Sequence, residues 1–142
     1  MKDFPPKDTV SHKVNFKVKA SDIDELNHVN NVVYLQWVNK ISGIHWTLLS
    51  NDDLNRKYFW VAIRHEIDYI NPAFLGEEIT VYTWVGESAG VRSVRNVHIY
   101  KGEILLVKTR STWCLMDINT QRPTRIRQDI LDVLAVNNNS DI

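Results

Sequence analysis

One segment of this 142-residue chain is apolar on nearly every face of a helix. Within residues 31–49, apolar side chains recur at spacings of three and four, and others fill the faces between them. The recurring positions are Tyr34, Val38, Ile41, His45 and Leu48. A helix of this kind is buried, and its length of roughly 28 Å matches the width of a small domain. The segment therefore predicts one long central helix that the rest of the chain must cover.

The rest of the chain has the pattern of β-strands. Alternation of apolar and polar residues predicts a half-buried strand at 13–20. Strand-like runs follow the helix at residues 59–70, 78–86, 91–100 and 103–117. Turn residues separate these runs, and the polar stretch 50–57 reads as a connection. This order predicts an α+β fold in which a curved antiparallel sheet wraps round the helix, with an exposed edge strand that favours dimerisation.

Composition narrows the class of protein. The 17 basic and 17 acidic residues balance, so nothing favours binding to nucleic acid or to an anionic membrane. No apolar run is long enough to cross a bilayer, and the first residues have no apolar core typical of a signal peptide. The single cysteine, Cys114, rules out an intrachain disulfide and favours the cytoplasm. We expect one domain over residues 1–142, with an irregular arm at about 1–9 and a flexible tail at about 136–142.

Acids, amides and an imidazole gather where the predicted helix begins. Asp22 and Asp24 precede His28, Asn30 and Asn31, and the apolar run follows at once. A helix N-terminus presents unpaired N–H groups and a partial positive charge, so it can hold the oxygen of an acyl carbonyl while a carboxylate activates or supplies a nucleophile. Asn and Asp are also the ordinary N-cap residues. The residues alone leave capping and catalysis both open.

A resemblance to a known family bears on this choice. The stretch DIDELNHVNNVVYLQW, residues 22–37, resembles the signature of hot-dog-fold acyl-ACP thioesterases. The stretch TRSTWCLMDINTQRPTRI, residues 109–126, resembles the last long strand of the same family and its exit. The stretch YINPAFLGEEITVYT, residues 69–83, resembles the approach to the third strand in the wider 4-hydroxybenzoyl-CoA thioesterase group. The resemblance implies a hot-dog fold and a hydrolase of fatty acid metabolism that cleaves acyl-CoA or acyl-ACP thioesters. It implies no cofactor and no metal.

The same resemblance implies roles for individual residues. Asp24 takes the place of the catalytic carboxylate, as general base or as nucleophile. His28 takes the place of the motif histidine that orients groups or relays a proton. The backbone N–H of Asn31 matches the amide that polarises the thioester carbonyl. The residues expected to bind the substrate are Asn30, Tyr34 and Tyr69.

The chain also departs from the family pattern. Leu26 stands where acyl-ACP thioesterases have Asn, and Pro72 stands near the place where some plant members put a second carboxylate. Many family members hold two hot dogs in one chain, so this shorter chain implies a homodimer or a dimer of dimers with sites at the subunit interface. Two alternatives stay open: a non-catalytic sensor of acyl thioesters, which the loss of the Asn at Leu26 favours, and a hydratase on the same fold.

Several other polar residues have a plain structural interpretation. His45 lies on the apolar stripe of the helix and is expected to be a hydrogen-bonded core histidine. Cys114 has no evident base beside it and reads as a packing residue. Arg92 and Arg95 can be placed at a solvated strand edge or, less simply, against the phosphates of a carrier. The scattered histidines have no metal-binding spacing.

Overall fold

A computed structural model of the protein describes residues 5–6 and 9–135, in which five strands and three α-helices form one layered unit. The strands are β1 (Ser11–Lys17), β2 (Tyr58–Tyr69), β3 (Glu78–Ala89), β4 (Arg92–Lys101) and β5 (Ile104–Asp117). The helices are α1 (Asn31–Leu49), α2 (Asp52–Lys57) and α3 (Gln128–Leu134). The strands form one antiparallel sheet in the order β1-β3-β4-β5-β2. The predicted tail and most of the predicted arm lie outside the described residues.

Helix α1 lies on the sheet through one apolar face. Tyr34, Val38 and Ile41 are at most 2% exposed and pack in one cluster with the inner face of the sheet. The sheet residues of this cluster are Ile79, Val81, Val97, Ile99, Leu106 and Val107. The predicted architecture, a sheet round one long helix, is confirmed. Among the described residues no helix is long and apolar enough to cross a membrane.

The opposite face of α1 is exposed. Val32 and Leu48 are 62% and 60% exposed, and Ile44 is 37% exposed. The expectation that this helix is buried on nearly every side, with Leu48 on the buried stripe, was therefore wrong for a single chain. One five-stranded sheet covers only one side of a helix, so the apolar residues of the other side remain at the surface.

Two short helices close one end of the sheet, and the sequence pattern did not predict them. The polar connection expected at 50–57 contains α2, whose first turn is capped when the Asn51 side chain accepts a hydrogen bond from the Leu54 N–H at 2.9 Å. Helix α3 contributes Ile130 to a second core cluster with Leu54 and Leu115. This cluster fixes the ends of β2 and β5 that lie far from the start of α1.

Strand β2 is a long edge of the sheet. It has twelve residues, pairs only with β5 among the described strands, and has a register shift between Ala62 and Arg64. Val61 and Ile63 beside this shift are 38% and 48% exposed. Unpaired backbone groups and exposed apolar side chains make such an edge a template for pairing with another strand.

Candidate active site

The polar segment before α1 folds into a tight turn held by its own backbone. Ile23 and Val29 form an isolated antiparallel bridge, and the Asp24 N–H donates to the His28 carbonyl at 2.9 Å. Asn27 closes the turn with φ of 68°, a left-handed conformation that asparagine adopts more readily than most residues. The Asn30 N–H donates to the Asp22 carbonyl at 3.0 Å, so both ends of the turn are tied together.

Contacts with the segment that leaves β2 fix this turn in space. The Val29 N–H donates to the Ala73 carbonyl at 2.9 Å, and His28 forms an antiparallel bridge with Phe74. The Ala73 N–H in turn donates to the Tyr34 hydroxyl at 3.1 Å. The turn before the helix, the first turn of the helix and the exit of β2 therefore form one connected structure.

The carboxylate of Asp24 and the imidazole of His28 face each other within this turn. Asp24 Oδ1 accepts a hydrogen bond from the Leu26 N–H at 2.9 Å, which fixes the rotation of the carboxylate. Asp24 Oδ2 lies 3.6 Å from His28 Nδ1, and the two side chains are 21% and 34% exposed. The second carboxylate oxygen is thus held near the imidazole, and the Asp24 side chain as a whole stays partly exposed.

Helix α1 begins with one backbone donor left over. The Asn30 side chain accepts a hydrogen bond from the Val32 N–H at 2.9 Å, and the Asn30 carbonyl accepts one from the Val33 N–H. No described residue accepts a hydrogen bond from the Asn31 N–H, and Asn31 is exposed. This free N–H at the positive end of a 19-residue helix is suited to hold an oxyanion.

A cavity of about 200 Å³ opens at this point. Its lining residues are His28, Val29, Asn31, Tyr34, Tyr69, Ile70, Asn71 and Pro72. The structure thus brings together four of the six residues that the sequence suggested. The other two do not line the cavity: the Asp24 carboxylate lies 3.6 Å from the imidazole of the lining residue His28, and the Asn30 side chain caps α1.

The two tyrosines of the cavity have different roles. Tyr34 is 2% exposed, and burial raises the pKa of its hydroxyl, which holds the Ala73 N–H. Tyr69 is 46% exposed, and its hydroxyl donates to the Asn31 carbonyl at 3.2 Å. Tyr34 therefore supports the wall of the cavity, and Tyr69 forms its rim at the start of α1.

Sequence reasoning missed part of the wall. Ile70 and Asn71 line the cavity because their backbone N–H groups both donate to the Leu106 carbonyl, which turns the chain toward the helix. The only sequence signal for this was the turn-forming Asn71-Pro72 pair. The Leu26 side chain, which replaces the family Asn, is 69% exposed and does not line the cavity.

Comparisons with known proteins bear on the fold and the family of this chain. A predicted thioesterase from Bacillus stearothermophilus is similar over 88% of this chain and 94% of that one, with 25% identity and a TM-score of 0.80. An acyl-ACP thioesterase from Bacteroides thetaiotaomicron is similar over 86% of this chain and 52% of that one, with 22% identity and a TM-score of 0.77. A 1,4-dihydroxy-2-naphthoyl-CoA thioesterase from Synechocystis is similar over 87% of this chain and 95% of that one, with 14% identity and a TM-score of 0.76. The comparison with curated proteins found no match.

The last two likenesses, below 25% identity, show the fold alone, and it is the hot-dog fold that the sequence suggested. The fold and the site together define a hot-dog thioesterase-type domain. A family model, the N-terminal domain of acyl-ACP thioesterases, matches residues 9–134. The chain belongs to the acyl-ACP thioesterase family, whose members act on acyl thioesters.

Proposed function

We propose that the protein hydrolyses fatty-acyl thioesters of coenzyme A or acyl carrier protein, releasing the free acid and the thiol. The observation that carries this proposal is the free N–H of Asn31, a residue that lines a cavity beside the Asp24–His28 pair. Thioester hydrolysis needs a donor for the developing oxyanion and a carboxylate to activate or replace water. Membership of the family supports the same chemistry.

The reaction follows from these groups in one of two ways. In the first, Asp24 accepts a proton from water while the water oxygen attacks the thioester carbonyl carbon and the C–S bond breaks. In the second, a carboxylate oxygen of Asp24 attacks the carbon, the thiolate leaves, and water hydrolyses the resulting mixed anhydride. In both, the Asn31 N–H donates a hydrogen bond to the carbonyl oxygen. Such a hydrogen bond lowers the activation free energy by about 3 kcal/mol. His28, 3.6 Å from Asp24, positions the carboxylate.

A fatty-acyl group suits the walls of the cavity. Ile70, Pro72 and the tyrosine rings offer apolar surface beside Asn31 and the imidazole of His28. The carrier is coenzyme A or acyl carrier protein, because the Bacteroides neighbour is named as an acyl-ACP enzyme and the Synechocystis neighbour as a CoA enzyme. Assays therefore need both carriers.

We further propose that two copies associate through β2. The support for this is the exposed edge of β2, where Val61 and Ile63 lie at the surface. The chain spans about half of the Bacteroides acyl-ACP thioesterase. Antiparallel pairing of two β2 strands would cover Val61 and Ile63 and would place the Tyr69 rim of each cavity at the subunit interface. Sedimentation velocity should give a dimer, or a dimer of dimers, for the wild type and a monomer for Ile63→Asp. A monomeric wild type would refute this association.

The first test compares Asp24→Asn with Asp22→Asn in a thiol-release assay on acyl-CoAs and acyl-ACPs of graded chain length. Asp22 is a matched control, because its carboxylate lies two residues away but accepts a hydrogen bond from the Lys19 N–H at 2.9 Å. We expect Asp24→Asn to lose roughly a hundredfold or more of kcat, and Asp22→Asn to keep wild-type turnover.

Two results would contradict the proposal. Full activity of Asp24→Asn would remove this carboxylate from the chemistry. A wild type that binds acyl thioesters on both carriers without releasing thiol would refute hydrolysis altogether, and would instead favour a sensor of acyl thioesters.

A further inference from the structure

Arg95 is a buried cation beneath the second half of α1. It is 7% exposed and lies on β4 two residues after Ser93, on the face of the sheet that the helix covers. The expectation that Arg95 belongs to a solvated strand edge was therefore wrong. Its neighbour on the same strand, Arg92, is exposed and does fit that expectation.

Neutral groups hold one end of this guanidinium. Arg95 Nη1 donates to His45 Nδ1 at 2.7 Å and to Thr83 Oγ1 at 3.0 Å. Because arginine only donates, His45 Nδ1 must accept, and His45 is in the neutral form with its proton on Nε2. The His12 ring stacks on His45 with centroids 5.6 Å apart. Both hydrogen bonds to described residues leave from Nη1, so the Nε and Nη2 donors have no acceptor among them.

No carboxylate among the described residues forms an ion pair with Arg95. Burial lowers its pKa to about 10, so the group still carries its charge at neutral pH. A buried charge without a counter-ion is strongly unfavourable, and native proteins pair such groups. The structure thus holds a cation whose anionic partner is not found within residues 5–6 and 9–135.

A cavity of about 490 Å³ lies directly against this cation. Such a volume falls within the range of roughly 300–1,000 Å³ that is typical of small-molecule sites. Three tryptophans, Trp46, Trp60 and Trp113, contribute to a mainly apolar wall, and among the described lining residues only Arg95 is charged. Gly43 and Asn55 line the cavity and are exposed, so it reaches the surface between α1 and α2. We call it the Arg95 cavity.

We propose that the Arg95 cavity binds an apolar monocarboxylic acid, with the carboxylate on the Arg95 guanidinium and the hydrocarbon chain against the tryptophans. A carboxylate supplies the missing counter-charge, and the planar fork of arginine matches its two oxygens. The apolar wall selects against small inorganic anions, which would leave most of the surface uncovered. A free acid of this class is also what thioester hydrolysis would release, although the binding itself does not depend on that activity.

This site is distinct from the candidate active site. Among the residues that the structure describes, none lines both cavities. The candidate active site lies at the N-terminus of α1. The Arg95 cavity is lined by Ser42, Gly43 and Trp46, which belong to the second half of α1. Ligand binding can therefore be measured without turnover, and loss of Asp24 function does not affect the test.

The experiment compares the binding of decanoate and 1-decanol by titration calorimetry and by tryptophan fluorescence. For the wild type, we expect decanoate to bind about tenfold more tightly or better, because hydrogen bonds to a charged group are the strong ones. Arg95→Met should abolish this preference and keep the affinity for decanol. Arg92→Met removes an exposed arginine from the same strand and should leave both affinities unchanged.

A second variant locates the ligand. Ser42→Leu places extra volume on a residue that is 5% exposed and lines the cavity, and it should weaken the binding of both ligands. Equal affinity of the wild type for acid and alcohol would overturn the proposal even if Arg95→Met does not fold. Tight decanoate binding that survives in both Arg95→Met and Ser42→Leu would place the acid elsewhere and overturn it equally.

Discussion

Buried His45 should make the protein sensitive to mild acid. The ring is 0% exposed and accepts a hydrogen bond from Arg95, and burial, then Arg95 and His12, lower its pKa from 6.5 to about 3. In the unfolded chain the imidazole takes up a proton near its ordinary pKa, whereas in the folded chain it does so only near 3. The contribution of neutral His45 to the free energy of unfolding is therefore fully present above pH 6.5, and it is lost as the pH falls toward 3.

The size of this effect follows from linkage. Between pH 7 and pH 5 the His45 ring binds a proton in the unfolded state but not in the folded state. This difference lowers the free energy of unfolding by about 2 kcal/mol. His12 and His65, whose pKa values are also lowered by burial, act in the same direction. The contribution of His45 must therefore be isolated as a difference between variants.

Urea denaturation at a series of pH values measures that difference. His45→Asn keeps an acceptor for Arg95 and removes the titrating ring, so we expect its stability to fall by about 2 kcal/mol less than that of the wild type between pH 7 and pH 5. Ser42→Ala changes a buried residue on the same helix without removing a titratable group, and it should keep the wild-type slope. Equal slopes for wild type and His45→Asn would refute the reasoning, as would NMR signals of His45 that titrate near pH 6.5 in the folded protein.

Substitutions at three further positions test the structure around the two cavities by urea denaturation. Tyr34→Phe leaves the buried Ala73 N–H without its acceptor and should lower the free energy of unfolding by about 1–3 kcal/mol; no change would mean that water replaces the hydroxyl. Gly43→Ala should raise it by about 1 kcal/mol, because a Cβ there meets nothing within 4 Å; a loss would reveal an unseen contact. Asn30→Ala removes the cap of α1 and should cost about 1 kcal/mol, whereas Asn30→Ser should restore most of it.

The long-range architecture was predictable because it depends on simple periodicities. The bounds of α1 were predicted as they are found, and the strands differ from prediction by only a few residues. The two helices of six and seven residues were missed because they are too short to establish a helical period. A local signal existed for the first of them: Asn51 as cap, with Asp52 and Asp53 in its first turn.

The candidate site was predictable only where it is local in sequence. Asp24, His28 and Asn31 belong to one motif, so reading the motif was enough to bring them together. Ile70 and Asn71 enter the cavity through hydrogen bonds to β5, which no local pattern encodes. Arg95 was misjudged for a similar reason, because an alternating strand does not reveal which of its arginines lies under the helix.

The bridges that hold the turn before α1 also set the order in which the chain can fold. Strands β3, β4 and β5 are neighbours in sequence and in the sheet, so their pairing closes only short loops. The segment that carries Asp24 and His28 is fixed by Ala73 and Phe74, which are made much later by the ribosome. Closing that long loop is entropically slow. In a nascent chain, the segment before α1 cannot form its bridges until residues 73–74 have emerged. The segment that precedes α1 is therefore synthesised early and becomes structured late, once residues 73–74 have emerged.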